Sequence, residues 1–230
     1  MAKNNNKNNS FESSMTDLMI SLALIFMLLL ASVMLKMNNQ ASQLTKTKEE
    51  LMVELSEILD QISNDIDVTT DGEDPLTLIV VLGEGKDSLK FATGNHKLTP
   101  QNAKFLDSLM PKIIAKLNNE KYKHSIDSIR IEGYTDDVPY KQKDKNVELS
   151  QLRALEVLNH TRKNSLKNKE ERDFFIDKAS INGKGDLVQY LKENKSASRR
   201  VEIKIKIKSI DEQNLSKDLK NNGAQVKRSK

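Results

Sequence analysis

An uninterrupted apolar run near the N-terminus constrains this chain more than any other feature. Residues 18–35 read LMISLALIFMLLLASVML, 18 residues without a charge. At a helical rise of ~1.5 Å per residue the run covers ~27 Å, close to the ~30 Å hydrocarbon core of a bilayer. We therefore predict a transmembrane helix over residues 14–36, preceded by a cytoplasmic tip at residues 1–13, of which the Asn- and Lys-rich residues 1–10 are expected to be disordered.

Asp17 stands at the front edge of this run, and Ser21 shares its helix face four residues later. An acid inside a membrane helix costs free energy, so by default it indicates a function. An acid in the first turn of a helix is also stabilised by the helix dipole, and could lie among lipid headgroups. Position alone leaves both interpretations open: a headgroup-level acid, or an ion-carrying carboxylate with Ser21 beside it.

The run is longer than the ~7–15 residues of a signal-peptide core, and no clear small-x-small cleavage site follows it. This favours a retained membrane anchor. Lysines flank the run on both sides, so the positive-inside rule is nearly balanced. The short N-terminal segment most simply stays in the cytoplasm. The large C-terminal part is then expected in the periplasm, with the chain held in the inner membrane.

Composition argues against several other classes of function. The net charge is only +4, with lysines and acids mixed along the chain, so no nucleic-acid surface is indicated. There are no cysteines, which excludes disulfides and thiolate chemistry. The three histidines lack metal-ligand spacing, and neither a nucleophile-elbow nor a phosphate-loop motif occurs. We expect no enzyme activity, no metal and no cofactor.

A stripe of leucines and isoleucines follows the run, within the segment 37–75. Its members recur at spacings of seven, four, three, four and four: Leu44, Leu51, Leu55, Ile58, Ile62 and Ile66. This spacing is typical of a coiled coil and predicts a helix that pairs with a second copy, giving a homodimer. The alternative is a helix that lies on its own domain. Residues 67–75, DVTTDGEDP, indicate a linker or loop.

Residues 76–209 predict an α/β sandwich, with helices on one face of a sheet. Strands are predicted at 76–82, 125–136, 179–183 and 199–209, and helices at 100–118 and 147–163. Thr99 is the expected cap of the first helix, with Pro100 at its first position. In the last strand the residues Val201, Ile203, Ile205 and Ile207 are predicted to face the core. Glu202, Lys204, Lys206 and Lys208 are predicted to face water. Residues 210–230 are expected to be a disordered tail.

Four phrases in this domain resemble the OmpA-like peptidoglycan-binding domains. They are FATGNHKLTPQ at 91–101, GYTD at 133–136, NVELSQLRA at 146–154 and RRVEI at 199–203. The family binds diaminopimelate, which carries an ammonium and a carboxylate on one carbon. The resemblance implies that Asp136 takes the ammonium and that Arg153 grips the carboxylate with two prongs. It also implies that Thr135, Asn146 and Arg199 line the site.

The sequence departs from the family pattern at some positions. Tyr134 and Ser198 stand where many members have His and Asn, and the loop 136–146 is longer than in the plainest members. An alternative role for Arg153 is a structural pair with a local acid, Asp137 or Glu148.

One membrane helix with an acid near its cytoplasmic end, followed by an OmpA-like domain, resembles the MotB type of stator subunit. Residues 10–30, SFESSMTDLMISLALIFMLLL, resemble more specifically the ZorB subunits of the Zorya anti-phage defence system. The aromatic residues usual around the acid of flagellar stators are absent. The resemblance implies a homodimer inside a pentameric ring of ZorA-like membrane subunits, with Asp17 carrying H⁺ or Na⁺, of which we favour H⁺. The alternatives are a flagellar stator subunit and a passive peptidoglycan tether without ion flow.

Overall fold

A computed structural model describes residues 5–63, 66, 68–82, 89, 91–135, 145–185, 199–209 and 212–213, with side chains from residue 14 onward. The chain forms two compact units, Met1–Leu44 and Thr45–Lys230. The first helix, α1, comprises Asn5–Asp60 and enters both units. Since it begins at Asn5, the N-terminal tip is helical over much of the segment predicted to be disordered.

The first unit contains the apolar run. Its large hydrophobic side chains from Leu18 to Leu35 are 48–71% exposed, so the protein itself does not cover them. In the described part of the chain, α1 is the one helix long and apolar enough to cross a membrane. Asp17 and Ser21 lie on this helix and are exposed.

The second unit is an α/β domain built on a five-stranded sheet. The strands are β1 (Val68–Thr70), β2 (Thr77–Val81), β3 (Ile126–Gly133), β4 (Ala179–Gly183) and β5 (Val201–Ile207). Their order in the sheet is β1-β2-β5-β3-β4. Among the described strand pairs, β3–β4 alone is parallel, with Ile129 opposite Ala179 and Gly133 opposite Gly183. Both of these strands therefore end at the same edge of the sheet.

One face of the sheet carries the hydrophobic core. Ile131 and Val80 lie on either side of Ile203, and all three side chains are fully buried. The other half of this core comes from the C-terminal part of α1 and from three further helices: α2 (Pro100–Leu117), α3 (Lys145–His160) and α4 (Lys169–Lys178). A π-helical turn, Thr161–Ser165, extends α3. The sheet with its helices confirms the predicted α/β sandwich.

The predicted N-cap of α2 is confirmed. The hydroxyl of Thr99 accepts a hydrogen bond of 3.1 Å from the backbone N–H of Asn102, and Pro100 is the first helical residue. Proline is tolerated there because the first N–H of a helix has no intrahelical partner. The helix ends at Leu117, one residue before the predicted end.

The leucine stripe does not form the predicted self-pairing seam. Leu51, Leu55 and Leu59 are fully buried in the core of their own domain, and Ile66 is almost so. Ile58 and Ile62 are only partly buried. The helix therefore follows the alternative interpretation, because one leucine per turn fits the apolar surface that the domain already offers.

Two further expectations are wrong, and one helix was not predicted. The predicted linker 67–75 contains β1, which pairs antiparallel with β2. Helix α4 was not predicted at all. Glu202, expected to face water, is only 4% exposed because it lies against Arg200. The predicted tail lies outside the described residues except for Glu212 and Gln213.

Candidate functional site

The candidate site lies where the parallel strands β3 and β4 end, and glycines bring α3 close to this edge. A Cβ atom at Gly133 would lie 2.0 Å from the carbonyl oxygen of Ser150, so only glycine fits there. The hydroxyl of Ser150 accepts a 2.9 Å hydrogen bond from the N–H of Gly185, just beyond β4. The same hydroxyl donates to the carbonyl oxygen of Val147. Helix α3 is thus held directly on the strand ends.

Arg153, one turn further along α3, is fully buried at this edge. Its Nε donates to the carbonyl oxygen of Asn95 at 3.1 Å, Nη1 to that of Tyr134 at 3.1 Å and Nη2 to that of Ala92 at 3.2 Å. Its guanidinium lies 5.2 Å from the ring centre of Phe91. A guanidinium has five N–H donors in a fixed plane. Arg153 therefore joins α3, the end of β3 and the segment before α2, and is held in one orientation.

Three other predicted residues lie at the same edge. Thr135 is 2% exposed, and its N–H donates to the carbonyl oxygen of Gly185. Among the described residues, no group hydrogen-bonds to the Thr135 hydroxyl. Asn146 is the second residue of α3 and is buried. Gly133 lies opposite Val201 in the sheet, so continuing this register places Arg199 opposite Thr135.

Asp136, the predicted partner of the ammonium, and the loop that follows it lie outside the described residues, as does Asp137. Glu148, the other acid considered as a structural partner of Arg153, is exposed on α3. The structure therefore brings together Arg153, Thr135 and Asn146, with Arg199 at the same sheet edge. Asp17 and Ser21 belong to the other unit.

Charged and polar side chains occupy the sheet face opposite the core, next to the site. Glu132 is fully buried there and accepts a 2.9 Å hydrogen bond from the Tyr134 hydroxyl. Burial by itself raises the pKa of Glu132. The hydrogen bond from Tyr134 and the ammonium groups of Lys204 and Lys184 outweigh this, so the pKa lies below its ordinary value. Glu132 is therefore a buried carboxylate that stays ionised.

Arg200 completes this group. Its guanidinium stacks 4.1 Å from the ring centre of Tyr134 and donates from Nε to Glu202 at 2.7 Å. Burial, together with the charges of Glu202 and Glu132, raises the pKa of the Tyr134 hydroxyl. The hydroxyl therefore keeps its proton and acts as a hydrogen-bond donor.

A cleft of about 190 Å³ lies beside Arg153, between the turn that contains Gly94 and the exposed side of α3. Its lining combines leucines with charged groups. Its lining residues are Gly94, His96, Lys145, Glu148, Leu149 and Leu152.

A second polar cluster, at the end of α3, does not have the arrangement of a hydrolase. His160 Nε2 and the hydroxyl of Ser165 both bond to Asp107 Oδ1, at 3.0 and 2.7 Å. The serine proton thus goes to the carboxylate, whereas in a Ser-His-Asp triad the serine hydroxyl donates to the histidine and the histidine to the acid. The described residues also include no group of three histidines or acids that could hold a metal ion.

The family model described as the OmpA family matches residues 90–204. The chain belongs to the OmpA family. The match begins just before Phe91 and ends within β5, so it includes every residue that contacts Arg153 as described above. No curated protein matches the chain.

Solved structures with the same fold include MotB-like domains. A MotB-like protein from Desulfovibrio vulgaris aligns with a TM-score of 0.51 at 18% identity, covering 73% of this chain and 98% of that one. The periplasmic domain of Helicobacter pylori MotB aligns with a TM-score of 0.49 at 20% identity, covering 72% and 93%. The OmpA-family domain thus has the fold of the MotB-like protein from Desulfovibrio vulgaris. The N-terminal part of α1, which precedes the domain in the chain, is a candidate membrane helix.

Sequence reasoning missed several residues of the site. Ala92 and Asn95 act through their backbone carbonyl oxygens, which leave no signal in the side-chain pattern. Ser150 acts as a spacer between α3 and Gly185. Tyr134 was visible as a departure from the family pattern, but its link to Glu132 was not predicted.

Proposed function

We propose that this OmpA-family chain binds peptidoglycan through the edge formed by Arg153, Thr135 and Asn146. The observation that carries the proposal is the fixed guanidinium of Arg153, held by three carbonyl oxygens at a glycine-lined sheet edge. A buried arginine in one orientation is suited to bidentate recognition of a carboxylate. The ligand is the diaminopimelate of the wall peptide.

The second charge of the ligand needs a matching group close to Arg153. Diaminopimelate presents an ammonium beside its carboxylate, and Asp136 follows Thr135 directly in the chain. In our proposal, Asp136 accepts the ammonium while the buried hydroxyl of Thr135 gains a polar partner from the ligand. A buried hydroxyl without a partner costs free energy, so ligand binding removes that cost.

In the full proposal, the wall contact is one half of an ion-driven stator-like complex. Asp17, at the front edge of the apolar run, carries H⁺. Neutralising a carboxylate in a membrane lowers the cost of its contact with apolar helices, and ionisation restores that cost. A membrane potential supplies about 2.3 kcal/mol per charge per 100 mV to drive the alternation. The wall contact stops the chain from turning with its surrounding subunits.

We assign this complex to anti-phage defence of the Zorya type rather than to flagellar motility. Support comes from residues 10–30, which resemble ZorB subunits and lack the aromatic residues usual around the acid of flagellar stators. The proposed partners are a second copy of this chain and a pentameric ring of ZorA-like subunits in the inner membrane. The OmpA-family domain is then periplasmic.

The test compares phage protection by the wild type and variants, in cells that express the chain with its neighbouring genes. We expect Asp17→Asn and Arg153→Ala each to abolish protection at matched protein levels. Asp136→Asn should do the same, and it preserves side-chain volume if Arg153→Ala impairs folding. Asp60→Asn, which changes the last acid of α1, and Arg162→Ala, beyond the site on the π-helical turn, serve as matched controls.

Each alternative gives a different result. Loss of protection for Arg153→Ala and Asp136→Asn alone would indicate a passive tether. Loss of swimming instead of protection would indicate a flagellar stator. Protection by all variants would contradict the proposal. Binding is measured separately, by co-sedimentation of the detergent-solubilised full chain with purified peptidoglycan.

A further inference from the structure

Tyr134 connects the two faces of the sheet at the end of β3. Its carbonyl oxygen accepts the 3.1 Å hydrogen bond from Arg153 Nη1, on the side of the candidate site. Its side chain lies on the opposite face, where the hydroxyl donates to Glu132 Oε2 at 2.9 Å. Its own N–H donates to the carbonyl oxygen of Arg200 at 2.9 Å. Backbone and side chain are thus both fixed.

The side chains around Tyr134 break a general rule of sheet design. Glu132 lies directly opposite Glu202, and Arg130 directly opposite Lys204, on neighbouring strands. Like charges in such pairs destabilise a sheet. Both glutamates are nevertheless buried, at 0% and 4% exposure. Proteins tend to break such rules at functional sites and to compensate for the cost nearby.

The groups that offset this repulsion lie at the end of β3 and the start of β5, next to the site. Glu202 is held by Arg200, whose guanidinium stacks on the ring of Tyr134. Glu132 is held by the Tyr134 hydroxyl, and Lys204 lies 3.4 Å away on β5. Lys204 also pairs with Asp71 at 2.8 Å. This buried charged group therefore holds Tyr134 from its side-chain end while Arg153 contacts it from its carbonyl end.

We propose that Tyr134 is a positioning residue for ligand binding: the Tyr134–Glu132 hydrogen bond on one face of the sheet fixes the carbonyl oxygen that orients Arg153 on the other. The inference rests on the proposed function, since Arg153 must bind the ligand for its orientation to matter. Without the hydroxyl, Glu132 loses a donor and its repulsion with Glu202 is less compensated. The residue that presents its carbonyl to Arg153 is then held less firmly.

The test measures affinity for a soluble muropeptide whose stem peptide ends in diaminopimelate, using the full chain in detergent and titration calorimetry. Tyr134→Phe keeps the ring that stacks on Arg200 and removes only the hydroxyl. We expect it to weaken binding about tenfold, equivalent to ~1.4 kcal/mol. The matched control is Tyr122→Phe, because Tyr122 is also buried but precedes β3, at the opposite end of that strand from Tyr134.

Thermal unfolding of the same samples separates positioning from stability. Tyr134→Phe is expected to lower the melting temperature and, at temperatures where it is fully folded, to weaken binding. Tyr122→Phe removes a hydroxyl that hydrogen-bonds to no described residue, so it should lower neither the melting temperature nor the affinity. If Tyr134→Phe does not fold, the muropeptide affinity of Glu132→Gln tests the positioning role instead. It retains an acceptor for the hydroxyl but loses the charge, and about a threefold loss of affinity is expected, since hydrogen bonds to charged groups are the stronger ones.

A second measurement uses the contact between Tyr134 and Arg153. In an Arg153→Lys background, Tyr134→Phe should lower the affinity for the muropeptide by less than about twofold. The guanidinium that Tyr134 positions is then absent, and the effects of coupled residues do not add. Where that background binds too weakly to measure, the comparison with Tyr122→Phe decides alone.

Contradicting results are distinguishable. If the wild type binds and Tyr134→Phe binds equally well, the positioning role is overturned and the proposed function stands. The same conclusion follows if Tyr122→Phe loses as much affinity as Tyr134→Phe. Absence of wild-type binding would overturn both.

Discussion

Two leucine-rich stretches of helix α1 have opposite surroundings. The hydrophobic side chains of residues 18–35 are 48–71% exposed, whereas Leu51, Leu55 and Leu59 are fully buried. The first stretch is apolar on every side, so no single protein surface can cover it, and it suits a membrane. The second buries one leucine per turn and mixes exposed and partly exposed residues between them, so cover on one side is enough. The arrangement of the leucines around the helix, rather than their number, therefore distinguishes the membrane stretch from the stretch packed on the domain.

The largest effect is expected from the buried stretch. Leu55→Ala should lower the free energy of unfolding of the domain by about 2–5 kcal/mol, because it leaves a cavity in the core. The measurement is urea unfolding of the full chain in detergent, followed by near-ultraviolet circular dichroism of the tyrosines. Val53→Ala, at a 58% exposed position of the same helix, is the control. Its effect should stay within about 0.5 kcal/mol. Equal effects of the two changes would mean that the helix is not packed on its domain.

The next largest effect is expected from the apolar run. Leu24→Arg puts a charge near its centre and should cost about 2.5–3.5 kcal/mol of membrane insertion. The fraction of chain that resists alkaline carbonate extraction from membranes measures this. Leu24→Phe should insert like the wild type. If Leu24→Arg also remained fully membrane-bound, the run would not be the spanning segment.

The smallest effect concerns the polar side of the buried stretch. Glu54 pairs with Lys121 at 2.8 Å and Lys116 at 3.0 Å, near the end of α2. Hydrogen bonds from Lys121 and then Lys116 lower the pKa of Glu54 from 4.5 to about 2. A carboxyl group whose pKa is lower in the folded than in the unfolded state stabilises the fold. This stabilisation is fully present at pH values above the ordinary pKa. That stabilisation is lost as the pH falls from about 4.5 towards 2.

Glu54→Gln should therefore reduce the stability of the fold at pH 6. It should also make the loss of stability between pH 5 and pH 3 smaller than in the wild type. Melting temperatures of the full chain in detergent across that range measure the effect. Glu57→Gln, on the exposed side of the same helix, is the control. The same pH slope for Glu54→Gln and the wild type would show that these ion pairs do not contribute.

Much of the domain could be predicted from local pattern. The cap of α2 depends on Thr99 and Asn102, three residues apart, and β5 shows its buried face through alternation. The partners of Arg153 could not be predicted in the same way. Two of them are the carbonyl oxygens of Ala92 and Asn95, about sixty residues earlier in the chain, and the third is that of Tyr134. Every residue has a carbonyl, so none of the three is marked in the sequence. The burial of Glu202 could not be predicted from the sequence either, since it depends on Arg200 and on the neighbouring strand.

The sequence by itself determined the features that depend on contiguous residues: the uncharged run of residues 18–35, the sheet-and-helix pattern, and the motifs placing Thr135, Asn146 and Arg153 in one domain. Only the tertiary structure decided which surface covers Leu51 and Leu55, which carbonyls orient Arg153, and why Tyr134 stands beside a buried Glu132. The physical reason is that burial, charge compensation and backbone hydrogen bonding at these positions are supplied by distant segments, which a local pattern does not record.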